Sequence, residues 1–124
     1  MKFQMEDVTL YFPYERIYQE QYAYMVELKR ALDLKGHCLL EMPTGIGKTI
    51  ALLSLITGYI LSKPQNQNSV KKLIYCTRTV HEMEKTLAEL KLLHRYQVEQ
   101  HMGGKQVLAV GLSVRSLFGL MFVE

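Results

Sequence analysis

The stretch LLEMPTGIGKTIALLSL, residues 39–55, decides how this sequence reads. An apolar run leads into a loop of small residues that ends in Lys-Thr, and a second apolar run follows. A triphosphate crowds several negative charges together, so its site needs donors that approach without side-chain interference and a cation that does not titrate away. Gly45 and Gly47 let backbone amides turn into the concavity of such a loop, and a helix starting at its end adds unpaired N–H groups and a positive dipole end. In that arrangement Lys48 reaches the β- and γ-phosphates and the Thr49 hydroxyl ligates Mg2+. The strict phosphate-loop pattern has a glycine where this chain has Met42, so Pro43, Thr44, Gly45, Ile46, Gly47, Lys48 and Thr49 make a variant of it. A tight turn by itself explains a glycine but gives no reason for Lys-Thr directly after it. That asymmetry favours a phosphate site over an ordinary strand-turn-helix connection.

The 124 residues around this loop are the size of one domain, and a 48% hydrophobic content suffices for an ordinary core. Fifteen Lys and Arg against 12 Asp and Glu leave a net charge of +3, which permits contact with nucleic acid without arguing for it. Cys38 and Cys76 fall inside apolar runs, where they read as buried reduced thiols, and they lack metal-ligand spacing. His81, His94 and His101 lie thirteen and seven positions apart, which forms no facing pair on a helix, so they read as solvated or capping residues. The first residues carry no apolar core followed by a small-residue cleavage site, so the chain reads as intracellular. The longest apolar segment, 50–61, is too short to span a bilayer and reads as a buried helix.

Period and punctuation place the elements. Residues 19–35 carry Tyr22, Met25, Val26, Leu28, Leu32 and Leu34 mostly on one helical face, with Glu27, Lys29 and Arg30 elsewhere and Gly36 as the C-cap. Residues 37–42, 72–77 and 105–112 are short apolar runs that predict strands. A helix apolar on nearly all sides is predicted after the loop, and a long amphipathic one over 79–100, with Val80, Met83, Leu87, Leu90 and Leu93 forming its stripe. Residues 63–71, with Pro64 and four amides, read as an exposed loop, and Gly103-Gly104 as a break. Strands alternating with helices predict an α/β fold: a parallel sheet with helices on both faces.

Four segments narrow this further. YFPYERIYQEQYAYMVELKRAL, LLEMPTGIGKTIALLSLI, LIYCTRTVHEMEKTLAEL and VGLSVRS resemble, in order, the N-terminus of the XPD-type DNA helicases of general transcription factor IIH. The resemblance runs over residues 3–115 and implies a partial first RecA-like ATP-binding lobe of a P-loop NTPase over 1–115, followed by a divergent tail over 116–124. It implies that Gln21 reads the adenine edge of ATP; from propensity alone a solvated helix-start residue is an equal reading. Tyr14 and Tyr18 could border the base, although aromatic rings beside a helix more often belong to a core. Gln19 stands where the family usually has proline. The resemblance further implies that Thr77, Arg78 and Thr79 touch the backbone of single-stranded DNA, and that Arg115 sits beside an iron-sulfur domain. The family's first cluster cysteine is absent from the 116–124 tail, so no 4Fe-4S cluster is expected, and the tail reads as a truncated or alternatively spliced end.

The family's Asp-Glu-Ala-His motif and second lobe correspond to nothing in these residues, so ATP and Mg2+ binding is expected without turnover by this chain alone. The expected context is nuclear, with IIH core subunits as partners, weak contact with single-stranded DNA and no membrane. The competing reading is a non-catalytic truncated interaction product. A small P-loop kinase would need an acceptor lid and an acidic partner that the sequence does not suggest.

Overall fold

The computed structural model describes residues 1–43, 47–62, 72–100, 109–112 and 117–121. Its elements are β1 (Lys2–Met5), β2 (Val8–Tyr11), α1 (Gln19–Asp33), α2 (Lys48–Ser62), α3 (Val80–Glu99), β3 (Ala109–Leu112) and β4 (Leu117–Met121). They fall into two compact units, Met1–Lys72 and Leu73–Glu124. Among the described residues no helix is long and apolar enough to cross a membrane.

The first unit begins with a hairpin that pairs Phe3 with Leu10 and Met5 with Val8 in antiparallel register. Phe3, Met5, Val8, Leu10 and Phe12 recur with the alternation of a half-buried strand pair, and Met5, Val8, Leu10 and Phe12 are buried. α2 lies against β2 and α1. The contact is close enough at Gly58 that a Cβ there would sit 2.6 Å from Leu10 Cδ2 and 2.8 Å from the carbonyl oxygen of Thr9. Met25 of α1 and Ala51, Leu55 and Tyr59 of α2 complete the core.

Beside that core, Lys29 is only 3% exposed. Its ammonium group meets Asp33 Oδ2 at 2.7 Å, Glu6 Oε2 at 2.8 Å and Asp7 Oδ1 at 3.1 Å, and the Tyr59 hydroxyl donates to Asp33 Oδ1 at 3.0 Å. Burial alone lowers the pKa of this lysine, but the hydrogen bonds it donates to Asp33, Glu6 and Asp7 outweigh it and raise the group above its ordinary value. The amphipathic pattern had set Lys29 apart from the apolar face of α1. Carboxylates from the hairpin turn, 22 and 23 positions away, draw it inward instead, while Leu34 is exposed. The same contacts secure the turn, where Glu6 adopts a positive φ of 55°.

Three further expectations are corrected. At the end of α1 the left-handed residue is Lys35, with φ 54°, rather than Gly36. The Lys35 amide donates to Leu32 O and the Gly36 amide to Ala31 O, a Schellman closure with a lysine where glycine is usual. Residues 37–42 and 72–77 form no strand, and Cys38 and Cys76 are exposed. Leu39 is 92% and Ile74 86% exposed. A strand in a parallel sheet takes its regularity from ladders to non-local neighbours. In the described residues these two runs have none, so much of the apolar composition that predicted them faces outward, although Met42 is buried and Leu40 half-buried.

The described sheets are instead two antiparallel pairs, β1-β2 and β3-β4. β3 coincides with the end of the third predicted strand, but its partner is β4, inside the 116–124 tail, with a register shift between Val110 and Gly111. Antiparallel partners close through a short connection and need no crossover helix, so they form where parallel neighbours are lacking. α3 follows its predicted range, yet Leu93 is its one fully buried apolar residue among those described. Met83, Leu87 and Leu90 are half-buried and Val80 exposed. The 63–71 segment and Gly103-Gly104 lie outside the described residues.

Candidate functional site

The first cluster gathers at the start of α2. Gly47 precedes the helix with φ 74°, a left-handed conformation that glycine adopts without steric cost. Lys48 opens the helix and is exposed, and Thr49 is half-buried one residue later. Pro43 is exposed, whereas Thr44, Gly45, Ile46 and Arg115 lie outside the described residues.

Gln21 reaches this point from α1, 26 positions earlier. Its Nε2 donates to Gly47 O at 3.2 Å, and its Oε1 accepts the backbone amide of Tyr18 at 2.9 Å. With 3% of its surface exposed, Gln21 is not the solvated helix-start residue that propensity allowed. The amide buried here has a partner at each end, as a buried polar group requires. The approach is close: a Cβ on Gly47 would lie 2.8 Å from Gln21 Nε2, so that side chain would have to shift. Tyr14 and Tyr18 are not core rings: Tyr18 is 61% exposed, and Tyr14 packs edge-on against Phe12 while remaining open to solvent. An exposed aromatic at the N-cap of α1 therefore stands three positions before a buried amide that touches the residue preceding α2.

The second cluster belongs to the other unit. Thr79 caps α3, its Oγ1 accepting the Glu82 amide at 3.1 Å, and the Thr77 hydroxyl donates to Thr79 O at 3.1 Å. Arg78 is exposed, and its guanidinium lies 3.9 Å from Glu82 Oε1 while its backbone amide donates to Glu82 Oε2 at 3.2 Å. Glu82 was missed in the sequence. The signal was present in Thr79-Val80-His81-Glu82, a hydroxyl N-cap with glutamate three positions on, which is the spacing of a capping box. Hydroxyls, an arginine and a helix start suit phosphate contact, but Glu82 already occupies one donor of the set.

No family model matches the chain. Over 116 residues, 93% of the chain, it is 72% identical to the general transcription and DNA repair factor IIH helicase subunit XPD of Arabidopsis thaliana. By sequence the chain is homologous to a segment of the XPD helicase subunits. XPD of Schizosaccharomyces pombe is 50% identical over 115 residues, 93% of the chain and 14% of that protein. The XPD/RAD3 subunit of Saccharomyces cerevisiae is 43% identical over the same shares of each. The chain spans about 15% of the length of the XPD subunit from Arabidopsis thaliana.

Proposed function

We propose that this chain is the ATP-binding N-terminal part of an XPD-type 5′ to 3′ DNA helicase, acting in nucleotide excision repair and transcription initiation within factor IIH in the nucleus. The observation that carries this reading is the meeting of Gln21 with Gly47, directly before Lys48 and Thr49. A phosphate loop and a base-reading amide serve one nucleotide only if the fold brings them together, and this contact does so across 26 positions.

In this reading Pro43, Thr44, Gly45, Ile46 and Gly47 turn around the phosphates, Lys48 neutralises the β- and γ-phosphates, and Thr49 supplies an oxygen to the Mg2+ that accompanies ATP. Exposed Lys48 and half-buried Thr49, one residue apart at a helix start, fit that division of roles. Gln21 keeps a second Nε2 hydrogen and a second Oε1 lone pair for the adenine edge. Thr77, Arg78, Thr79 and Arg115 contact the single-strand backbone, and core subunits of the same factor are the protein partners. Residues 1–115 form part of the first RecA-like lobe, in which the runs 37–42 and 72–77 take strand positions when further chain pairs with them; residues 116–124 are a divergent tail.

The 124 residues alone bind nucleotide without turning it over, because hydrolysis also requires acidic groups for Mg2+ and water and arginines from a second lobe. Isothermal titration of the purified chain with a non-hydrolysable ATP analogue and Mg2+ tests this. Binding that is lost in Lys48→Ala is expected, whereas no binding, or binding indifferent to Lys48, would overturn the reading in favour of a non-catalytic interaction product.

A further inference from the structure

The carbonyl of Gly47 receives two donors. Ala51 N–H comes from within α2 at 3.3 Å, and Gln21 Nε2 comes from α1 at 3.2 Å. A peptide unit is planar and trans, so whatever fixes the direction of Gly47 C=O also fixes the N–H of Lys48 on the opposite edge of the same unit. That N–H belongs to the first turn of the helix, whose amides find no carbonyl within the helix and face its N-terminal side. The helical bond from Ala51 sets the carbonyl along the axis, and Gln21 holds it from the side. Gln21 can do so because its own amide plane is tied at the far end, where Oε1 accepts the Tyr18 amide at 2.9 Å.

We infer that Gln21 is a positioning residue for the phosphate end of the nucleotide site, acting through the Gly47–Lys48 peptide and independently of any base. This rests on the reading that a triphosphate sits at the start of α2. It separates two consequences of one side chain. An amide that only reads adenine matters to ATP and not to a polyphosphate lacking a base, whereas an amide that aims the Lys48 N–H matters to both.

The test titrates the 124-residue chain with inorganic tripolyphosphate and Mg2+, and in parallel with the ATP analogue, using the unaltered chain and Gln21→Met, a neutral side chain of similar length. Loss of one aligned hydrogen bond predicts tripolyphosphate binding weakened about five- to tenfold in the variant. Unchanged tripolyphosphate affinity with weakened analogue binding would overturn the inference and leave the ATP reading intact. Failure of the unaltered chain to bind either ligand would overturn both. Should circular dichroism show Gln21→Met unfolded, the side-chain amide resonance of Gln21 in the unaltered chain decides. It is expected to shift as tripolyphosphate saturates the site, with Gln19 as the unshifted control, and a static Gln21 resonance would overturn the inference.

Discussion

In Met1–Lys72 a hairpin and two helices close over Val8, Leu10, Met25, Ala51 and Leu55, all of them sealed from solvent, and a buried ammonium ties the hairpin turn to α1. In Leu73–Glu124 the longest helix buries one apolar side chain completely among the described residues, and the run before it lies open. The contrast separates having an apolar stripe from having something to cover it. α3 has the stripe. The first unit supplies its own cover, because its strands pair locally and leave an apolar face over which α2 lies. The two helix starts repeat the contrast in reverse. α3 is capped by its own Thr79, whereas Gly47, before α2, has no side chain with which to cap and is held at its carbonyl from another helix.

The contrast breaks most directly at Lys29. Replacing it with Met leaves Glu6, Asp7 and Asp33 facing one another without a cation, and is expected to cost the first unit about 2–3 kcal/mol in urea unfolding, less than for a sealed pair because the carboxylates reach water. A raised lysine pKa means that the folded state holds its proton after the unfolded chain has lost it. The contribution is therefore complete below about pH 10.4 and declines as the pH rises beyond it. Unfolding free energy should fall over that alkaline range in the unaltered chain, and a Lys29→Met chain that falls equally would exclude the network as the cause.

Gly58→Ala comes next. The added methyl meets the Thr9 carbonyl and the Leu10 side chain, so α2 must shift from β2 at an expected cost of about 1–3 kcal/mol. No loss of midpoint in thermal unfolding would mean that the contact is looser than its geometry. Thr79→Ala acts on the other unit and removes the cap of α3, worth about 1 kcal/mol. Faster amide exchange is expected in the first turn of α3 with that of α1 and α2 unchanged, and a change in all three helices would contradict the separation of the units. The smallest effect runs the other way: Lys35→Gly relieves a left-handed lysine and should stabilise the first unit by about 0.5–1 kcal/mol in the same urea assay.

The helices were legible because a 3.6-residue period is written within a few turns of chain. The turn at Gly47 and the helix start at Lys48 were legible for a similar local reason: a small-residue loop that gives way to an apolar run is written in adjacent residues. The hairpin was also written, in the alternation from Phe3 to Phe12, but was passed over. The runs 37–42 and 72–77 were read as strands because length and apolarity fit, yet a strand exists only where another backbone lies beside it. Burial of Lys29 depended on carboxylates in a turn more than twenty positions earlier, and no helical wheel of α1 contains them. Gln21 shows the same limit. Propensity left it balanced between solvent and a role, and the resemblance supplied the role, but the contact with Gly47 appears only in three dimensions.

Cys38 belongs to one compact unit and Cys76 to the other, and both thiols face solvent. Maleimide dyes attached to this natural pair would turn the spacing of the units into an energy-transfer efficiency without an engineered handle. Adding nucleotide or single-stranded DNA to the labelled chain would then report whether either changes that spacing.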